Sequence, residues 1–212
     1  MACCHCQGAD QFFGTKIVAR DIRRYHKKGG SKATRGLIAA VRTTGVKDRI
    51  LLDIGGGIGV ITNELCASGI RRAISVEASS QYLAAAKAEA QRRGHADQID
   101  YRHGDFVDLA NSIPAVDIVT LDSVICCYPD WRALVLLSAS HAKELYAVIL
   151  PRDVWWMKLA FSVQNLFLRL SRSTFRIFVH PVAMIEDAIT RTGLQLRVGY
   201  QTLGWHVKVY VR

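Results

Sequence analysis

A cluster of glycines follows a short apolar segment and an aspartate, and this order predicts a ligand-binding turn. Residues 50–52 form an apolar run of the length of a buried strand, and Asp53 ends it. The glycines that follow are Gly55, Gly56, Gly57 and Gly59. Because glycine has no Cβ, this loop can turn sharply and let a ligand approach the backbone. A helix that begins near Gly57 would point its free N–H groups into the same crevice.

A glycine-rich loop after a strand is also typical of NAD and FAD sites, and a tight turn can exist without any ligand. The order Asp-x-Gly-x-Gly-x-Gly over residues 53–59 is a more specific pattern than a glycine-rich loop alone. It resembles motif I of the class I S-adenosylmethionine-dependent methyltransferases. This resemblance implies that the cofactor is S-adenosyl-L-methionine. It also implies that the loop packs against the methionine part of the cofactor and that Asp53 contacts it.

Two further strand ends carry acidic residues in the order that this resemblance implies. Residues 72–77 predict a second strand that ends at Glu77, where a carboxylate can accept hydrogen bonds from ribose hydroxyls. Residues 99–103 predict a third strand, and in the family the acidic residue after it holds the adenine amino group while its neighbour packs on the ring. The alternatives are a surface glutamate and a simple turn. The cofactor residues expected here are Glu77, Ala78, Gly104, Asp105 and Phe106.

The end of the fourth predicted strand, residues 117–121, resembles motif IV of the family, which lines the substrate crevice. We assign Leu121 and Asp122 to the cofactor site, and the residues after them to the acceptor side. The chain has no Asn-Pro-Pro-Tyr-like motif after this strand. Its absence argues against a nucleic-acid acceptor, because such a motif is the one associated with base flipping.

Predicted strands and helices alternate along the chain as far as residue 192, and two strands follow near 194–201 and 205–211. This order predicts an α/β fold with a doubly wound, Rossmann-like, mostly parallel seven-stranded sheet and an antiparallel C-terminal hairpin. No repeat or linker divides the chain, so residues 1–212 are predicted to form a single methyltransferase domain.

The positive charge is concentrated before the glycine loop. The chain has a net charge of +10, and residues 16–49 contain eleven Lys or Arg against two Asp, which gives +9. Residues 11–28 predict a basic amphipathic helix, and Ser31 predicts the N-cap of a second helix over 32–44. Residues 1–45 therefore form a predicted basic helical cap, with Tyr25 near the methyl group. The charge suits a solvated face, an anionic substrate, an acidic membrane surface or nucleic acid.

An unusual helix is predicted after the fifth strand, within a lid-like helical insertion over residues 152–180. Over residues 154–170 the polar side chains form one narrow stripe: Lys158, Ser162, Asn165 and Arg169. Such a helix could cover the sheet as part of the core, close over an apolar substrate, or lie in a membrane interface. Peripheral membrane contact is therefore one of the interactions that the sequence allows.

The N-terminal cysteines do not have the spacing of a structural zinc site, so no metal is predicted. The cluster Cys3, Cys4, His5 and Cys6 is expected to be a reduced tail, with a soft-metal site or a redox-sensitive lid as alternatives. No stretch has the pattern of a signal peptide or a membrane span, and a cytoplasmic location is the expectation.

Residues 49–212 also resemble one branch of the methyltransferases, the magnesium-protoporphyrin O-methyltransferase family. The stretches that carry this resemblance are VTLDSVICCYPD, ILPRDVWW and FRIFVHPVAMIEDAI. The family has a His before its Tyr-Pro pair, which is thought to assist catalysis. Here Cys126-Cys127 replaces that His, with one residue inserted. This departure argues against a porphyrin as the substrate, and it leaves the expectation of methyl transfer unchanged.

Methyl transfer from a sulfonium is an in-line displacement in which the enzyme chiefly aligns the reacting atoms. A carboxylate acceptor is ionised at neutral pH and needs only positive charge, whereas a phenol or amine more often needs a base. The catalytic candidates are His180, Tyr128 and Tyr25, and Asp122 is a further candidate base. The substrate-binding candidates are Cys126, Arg152, Trp155 and Trp156.

These residues predict O-methylation of a small, flat or apolar, anionic molecule. Three alternatives stay open at this point. The basic segment suits an RNA methyltransferase, the cysteines suit a thiol or metalloid methyltransferase, and the cofactor site could also belong to a non-catalytic binding module.

Overall fold

A seven-stranded sheet with helices on both faces organises the chain. The computed structural model describes residues 4–212, and it describes side chains from residue 8 onward. The helices are α1 (Cys4–Phe12), α2 (Thr15–Lys28), α3 (Lys32–Arg42), α4 (Val60–Cys66), α5 (Ser80–Arg93), α6 (Phe106–Leu109), α7 (Trp131–His141), α8 (Trp155–Leu170) and α9 (Val182–Thr190). The strands are β1 (Ile50–Ile54), β2 (Arg72–Glu77), β3 (Ile99–His103), β4 (Val116–Asp122), β5 (Ala142–Pro151), β6 (Gln195–Gln201) and β7 (Trp205–Val211).

The order of the strands confirms the predicted doubly wound sheet. It is β3-β2-β1-β4-β5-β7-β6. The first five strands are parallel, and β7 runs antiparallel to both β5 and β6. The strand order reverses between β1 and β4, and in open α/β sheets this switch point leaves a crevice at the carboxyl ends of the strands. The motifs at the ends of β1, β2 and β4 therefore meet at one edge.

Side chains of β1 alternate between two cores, as expected for a strand buried on both faces. Leu52 and Ile54 pack on the side covered by α6, α7 and α9. Leu51 packs on the other side, against α3, α4 and the strands β5 and β7. The central position of β1 fixes the glycine loop that follows it, because the strand has neighbours on both edges and on both faces.

The predicted helix boundaries differ from the structure at two glycine-rich places. The helix predicted over 11–28 is two helices, α1 and α2, separated at Gly14. The helix expected near Gly57 begins at Val60, because Gly57 and Gly59 have φ of +55° and +77° and prolong the turn. The loop is therefore longer than the sequence pattern predicts.

Helix α8 is attached to the domain by few side chains. Only Met157 and Leu168 of this helix are buried. Asn165 exchanges two hydrogen bonds with the backbone of Ile177, at 2.7 Å and 3.0 Å. This arrangement excludes the interpretation of α8 as a core helix. Among the described residues, no helix is both long and apolar enough to cross a membrane.

Candidate functional site

A cavity of about 550 Å³ lies at the carboxyl ends of the strands, a volume typical of small-molecule sites. Its floor is the glycine loop together with the ends of β2 and β4. Residues of α1, α2 and α3 cover it from one side, and residues of α8 and the segment 175–177 cover it from another. The site therefore combines the predicted strand ends with two helical segments that lie over them.

The glycine loop forms the open part of the floor. Gly55 and Gly57 have φ of +63° and +55°, a conformation that other residues rarely adopt. A Cβ on Gly57 would meet no atom within 4 Å, so this position faces open space. The backbone N–H of Gly57 donates a hydrogen bond to Oε2 of Glu77 at 2.9 Å, which ties the loop to β2. Gly59, which has φ of +77°, precedes α4 and does not line the cavity.

Asp53 lies beneath this loop and does not line the cavity, in contrast to the contact that the family resemblance implies. Its side chain is fully buried, and its two oxygens accept hydrogen bonds from the hydroxyls of Thr62 and Thr120, each at 2.7 Å. Burial raises its pKa from 3.8 to about 6. Oδ2 also lies 2.6 Å from the position of a Cβ on Gly56, so Asp53 supports the shape of the loop from below.

Glu77 lines the cavity with its carboxylate held in a fixed orientation. Oε2 accepts from Gly57, and Oε1 accepts from the backbone N–H of Ser79 at 2.8 Å. Burial raises its pKa, while these N–H donors act in the opposite direction. A carboxylate has about four acceptor positions, so this side chain keeps capacity to bind ligand hydroxyls.

The turn after β3 also lines the cavity. Asp105 caps α6 through a hydrogen bond from Val107, and its other oxygen accepts from the hydroxyl of Tyr128 at 2.9 Å. Gly104, Phe106 and Ala78 lie in the same wall, and Phe106 is buried. The predicted residues of the second and third strand ends are therefore brought together at one end of the cavity.

Asp122 faces the cavity at the end of β4, whereas Leu121 is fully buried and points away from it. The Asp122 oxygens accept hydrogen bonds from Thr34 at 2.6 Å and from Ser123 at 2.8 Å. Burial raises the pKa of this carboxyl group. Since Thr34 belongs to α3, the hydrogen bond fixes the cap to the central strand.

The short turn after β4 places two cysteines in the cavity wall. Cys126 is buried and Cys127 is half-buried, and their Sγ atoms lie 3.7 Å apart. The hydrogen bond with Cys127 and burial raise the pKa of Cys126 well above its ordinary value. Tyr128 follows them and also lines the cavity. No group of three metal-ligating side chains is found in the part of the chain whose side chains are described. The side chains of Cys3, Cys4, His5 and Cys6 lie outside that part.

His180 lies behind the turn and does not line the cavity. Its Nε2 is 3.0 Å from the carbonyl oxygen of Tyr128, and its ring stacks on Phe178. Burial lowers its pKa. The structure thus gives His180 contacts that support the backbone of Tyr128, rather than the contact with a bound acceptor that a catalytic base requires.

Tyr25 also points away from the cavity. It is buried, its hydroxyl donates to Oε1 of Glu64 at 3.1 Å, and the guanidinium of Arg93 contacts the same hydroxyl. Burial raises its pKa. Its place at the cavity is taken by neighbours on the same helix, namely Arg20, Asp21 and Arg24.

The predicted substrate residues at the start of α8 do not line the cavity either. Trp155 is 76% exposed, and Trp156 lies toward Gly204 in the β6–β7 turn. Arg152 binds that turn, with its backbone N–H donating to the carbonyl oxygen of Gly204 at 2.9 Å. A helix that begins at residue 155 turns these side chains away from the strand end that precedes them.

Several lining residues were not expected from the sequence. They form an aromatic and aliphatic wall: Phe12, Phe13, Phe161, Phe175 and Ile177, with Tyr82 and Trp205 at other edges. Arg20 and Arg24 could have been found from their spacing, because positions four apart share one face of a helix. The aromatic wall has no such signal, because it is built from three segments that are distant in sequence.

Comparisons with known proteins agree with this geometry. A family profile described as "Methyltransferase domain" matches residues 52–139. A search of curated protein sequences finds no match. Among solved structures, the chain is similar to the magnesium protoporphyrin IX methyltransferase of Synechocystis PCC 6803 with bound S-adenosylhomocysteine. The identity is 18%, the TM-score is 0.71, and the match covers 97% of this chain and 93% of the other.

Two further structures share the fold. A putative methyltransferase of Haloferax volcanii, in complex with the Trm112 methyltransferase activator, is 16% identical with a TM-score of 0.71, and the match covers 95% of this chain and 96% of the other. An O-methyltransferase family protein from Burkholderia thailandensis is 15% identical with a TM-score of 0.69, over 94% and 63% of the two chains. At these identities the likeness establishes the architecture.

Proposed function

We propose that this chain, a class I S-adenosyl-L-methionine-dependent methyltransferase, transfers the methyl group to an oxygen atom of a small, flat or apolar, anionic acceptor. The cofactor, S-adenosyl-L-methionine, supplies an electrophilic methyl group on a sulfonium. In this proposal the acceptor binds in the half of the cavity that lies away from the glycine loop.

The residues at the strand ends fit this cofactor. Gly57 leaves open space beside the loop, and Glu77 presents a carboxylate whose orientation is fixed by two backbone N–H groups. We assign Glu77 to the ribose hydroxyls and Asp105 with Phe106 to the adenine. Asp53 acts from below the loop by supporting its shape.

The observation that carries the proposal is the combination of an apolar wall and two guanidinium groups in one cavity. Phe161, Phe175 and Ile177 offer flat or aliphatic surfaces, and Arg20 and Arg24 lie at the same cavity from α2. Aromatic walls favour planar ligands, and guanidinium groups bind carboxylates with paired N–H donors. Together they suit a planar or apolar acid.

A carboxylate acceptor needs no histidine in the cavity to remove a proton. No histidine lines the cavity in the part of the chain whose side chains are described. A carboxylate is already ionised near neutral pH, so methyl transfer to it requires alignment and no general base. In this proposal Tyr128, which is held by Asp105, orients the acceptor, and Arg20 and Arg24 hold its charge.

The two helical segments over the cavity complete the proposal. In this proposal, the cap of residues 1–45 and the insertion of residues 152–180 close the site over the cofactor and the acceptor. In support of this, α2 and α3 contribute Arg24 and Thr34 to the cavity, and α8 contributes Phe161 and Gln164. Closure excludes water and strengthens the charge interactions within the site.

A test compares planar aromatic carboxylic acids with their primary amides, using cofactor with a labelled methyl group. We expect label transfer to acids and none to the amides. The double variant Arg20→Ala/Arg24→Ala should raise KM for the acid at least about tenfold, the scale of a lost charge-assisted contact. The control Arg23→Ala/Lys27→Ala removes two charges from the same helix away from the cavity, and should leave KM unchanged. Equal transfer to the amides, or equal effects of the two double variants, would contradict the proposal.

The cysteine pair favours a second candidate function, which is methyl transfer to a soft acceptor that binds thiols. Cys126 and Cys127 both line the cavity with their Sγ atoms 3.7 Å apart. For such an acceptor, Cys127→Ser should abolish transfer, whereas for a carboxylic acid the same variant should retain most of the wild-type activity. Label transfer to an inorganic trivalent metalloid by the wild type alone would favour the second candidate.

A further inference from the structure

Helix α8 carries a continuous stripe of large apolar side chains on its outer surface. The stripe consists of Trp155, Leu159, Val163, Leu166, Phe167 and Leu170. Among the described residues, these are six of the ten large hydrophobic side chains that are exposed. Their spacing of three, four and one residues follows a single face of an α-helix over its whole length. The exposure is thus a property of one surface, not a scatter of single residues.

The packing of α8 keeps this stripe on the side of the helix that faces away from the domain. On the opposite face Met157 and Leu168 are buried, and Phe161 reaches the cavity. The two hydrogen bonds between Asn165 and Ile177 hold the helix in this rotation. Leu203, which is 83% exposed, extends the stripe near its first turn, because the backbone of Arg152 is hydrogen-bonded to Gly204. Turning the stripe inward would break these contacts.

Positively charged side chains of α2 lie at the rim of the cavity that α8 also lines. Arg20 and Arg24 of α2 line the cavity together with Phe161 of α8, so the two helices share its rim. On the outer side of α2, Arg23, Lys27 and Lys28 are exposed and form no ion pair with the described residues. Arg169 adds a further exposed charge beside the stripe. An apolar stripe with basic neighbours is the pattern of helices that lie in the interface of an anionic bilayer.

The shape of the stripe favours a lipid surface over a protein partner. The stripe is convex, because it is the outer face of one helix, and a bilayer can accommodate that shape without a complementary groove.

We infer that α8 and the outer side of α2 bind the surface of an anionic lipid bilayer, with the stripe among the acyl chains and the cavity rim at the interface. The acceptor is then a lipophilic anion that enters the cavity from the bilayer. This last clause rests on the proposed function, whereas the binding of the bilayer itself does not depend on it.

Flotation with lipid vesicles tests the inference on the full chain. We expect the protein to float with vesicles of phosphatidylcholine mixed with phosphatidylglycerol, and much less with phosphatidylcholine alone. High salt should weaken the binding, because it screens the charges on α2. The fluorescence of exposed Trp155 should shift to shorter wavelength on binding, as its indole leaves water.

Matched variants separate the stripe from general hydrophobicity. Leu166→Ser/Phe167→Ser should lower the fraction bound to anionic vesicles at least about tenfold, because it removes two of the six side chains that enter the acyl region. Leu136→Ser/Leu196→Ser changes two other exposed hydrophobic side chains, on α7 and β6, and should leave binding unchanged. The unfolding midpoint of each variant establishes that it is folded. If the double stripe variant unfolds, Phe167→Ser alone serves the same purpose.

Three outcomes would overturn the inference. The wild type could fail to bind anionic vesicles, or the control variant could lose binding as much as the stripe variant. The chain could also form a dimer in light scattering that Phe167→Ser abolishes, without any vesicle binding, which would assign the stripe to a protein partner. Turnover of a water-dissolved acid by the stripe variant is measured in parallel, so failure of membrane binding and failure of the proposed function are distinguishable.

Discussion

The hydroxyl of Tyr25 donates a hydrogen bond to Oε1 of Glu64, 3.1 Å away and 39 residues later in the chain. The guanidinium of Arg93 binds the same carboxylate oxygen at 2.8 Å and also contacts the Tyr25 hydroxyl. This contact joins α2 to α4 and α5, so that the helix carrying Arg20 and Arg24 is held against the domain on the side away from the cavity. Tyr25 therefore positions the cap.

Tyr25→Phe distinguishes this positioning role from a role in the reaction. Removing a buried hydroxyl that binds a charged group should lower the free energy of unfolding by about 1–2 kcal/mol, measured by urea denaturation. With saturating acceptor, kcat should stay within about twofold of the wild type. Tyr210→Phe is the matched control, because the buried Tyr210 hydroxyl has no hydrogen-bond partner among the described residues and its removal should not destabilise the protein. A large loss of kcat with unchanged stability would place Tyr25 in the reaction instead.

Gly57→Arg tests the cofactor site. A side chain at this position extends into the open space of the cavity, so binding of S-adenosylhomocysteine in isothermal titration should weaken at least about a hundredfold. Gly94→Arg is the control, because Gly94 also has a positive φ, of +75°, and no atom within 4 Å of a Cβ, but it lies outside the cavity. Both variants carry a similar backbone strain, so a difference in affinity reports the cavity alone. Unchanged affinity in folded Gly57→Arg would contradict the site.

Asp53 should give the stability a specific pH dependence. Its pKa is raised from 3.8 to about 6 by burial, so within this window the folded state keeps a proton that the unfolded state releases. The contribution of Asp53 to stability is therefore present at the acidic end and is lost as pH rises through the window, by up to about 3 kcal/mol. Asp53→Asn should remove this part of the profile in urea unfolding measured from about pH 4 to about pH 8. A profile identical to that of the wild type would show that Asp53 ionises normally.

His180→Ala tests whether this histidine is a base. We expect a loss of about 1–3 kcal/mol in unfolding free energy, because the hydrogen bond between His180 and the carbonyl of Tyr128 and the stacking on Phe178 are both removed. Because burial lowers the pKa of His180 below 6.5, the stability it contributes is present above pH 6.5 and is lost as pH falls below that value. The shape of the kcat/KM profile against pH should not change. Loss of its acidic limb in the variant would instead support proton transfer by His180.

The elements around the cofactor were predictable because their signals are local. The helix after β2 begins beside Ser79, whose side chain accepts from Tyr82, and it ends at Gly94 in the left-handed conformation. A serine before a helix and a glycine after it can both be recognised as caps from the residue type alone. The apolar runs of β1 and β2 can likewise be recognised without any distant residue. The end of the second run predicts the position of Glu77.

The acceptor side was not predictable in the same way, because its walls depend on the rotation of helices. Trp155 and Trp156 follow β5 closely in sequence, yet the start of α8 turns them outward or toward Gly204. Phe161 enters the cavity instead, since Asn165 fixes the helix against Ile177. The pairing of an amide side chain with a backbone twelve residues away has no local sequence signal.

The packing of α3 against β7 has a consequence for synthesis of the chain. Leu37 and Val41 share a core with Val207 and Val209, and the hydroxyl of Tyr200 donates to the carbonyl of Ala33 across 167 residues. Since β7 follows the other described elements in chain order, α3 leaves the ribosome long before the part of its packing surface that β7 supplies. The packing of α3, the helix that carries Thr34, is therefore completed only when the last strand has been made, and its β7-facing residues stay exposed on the nascent chain until then.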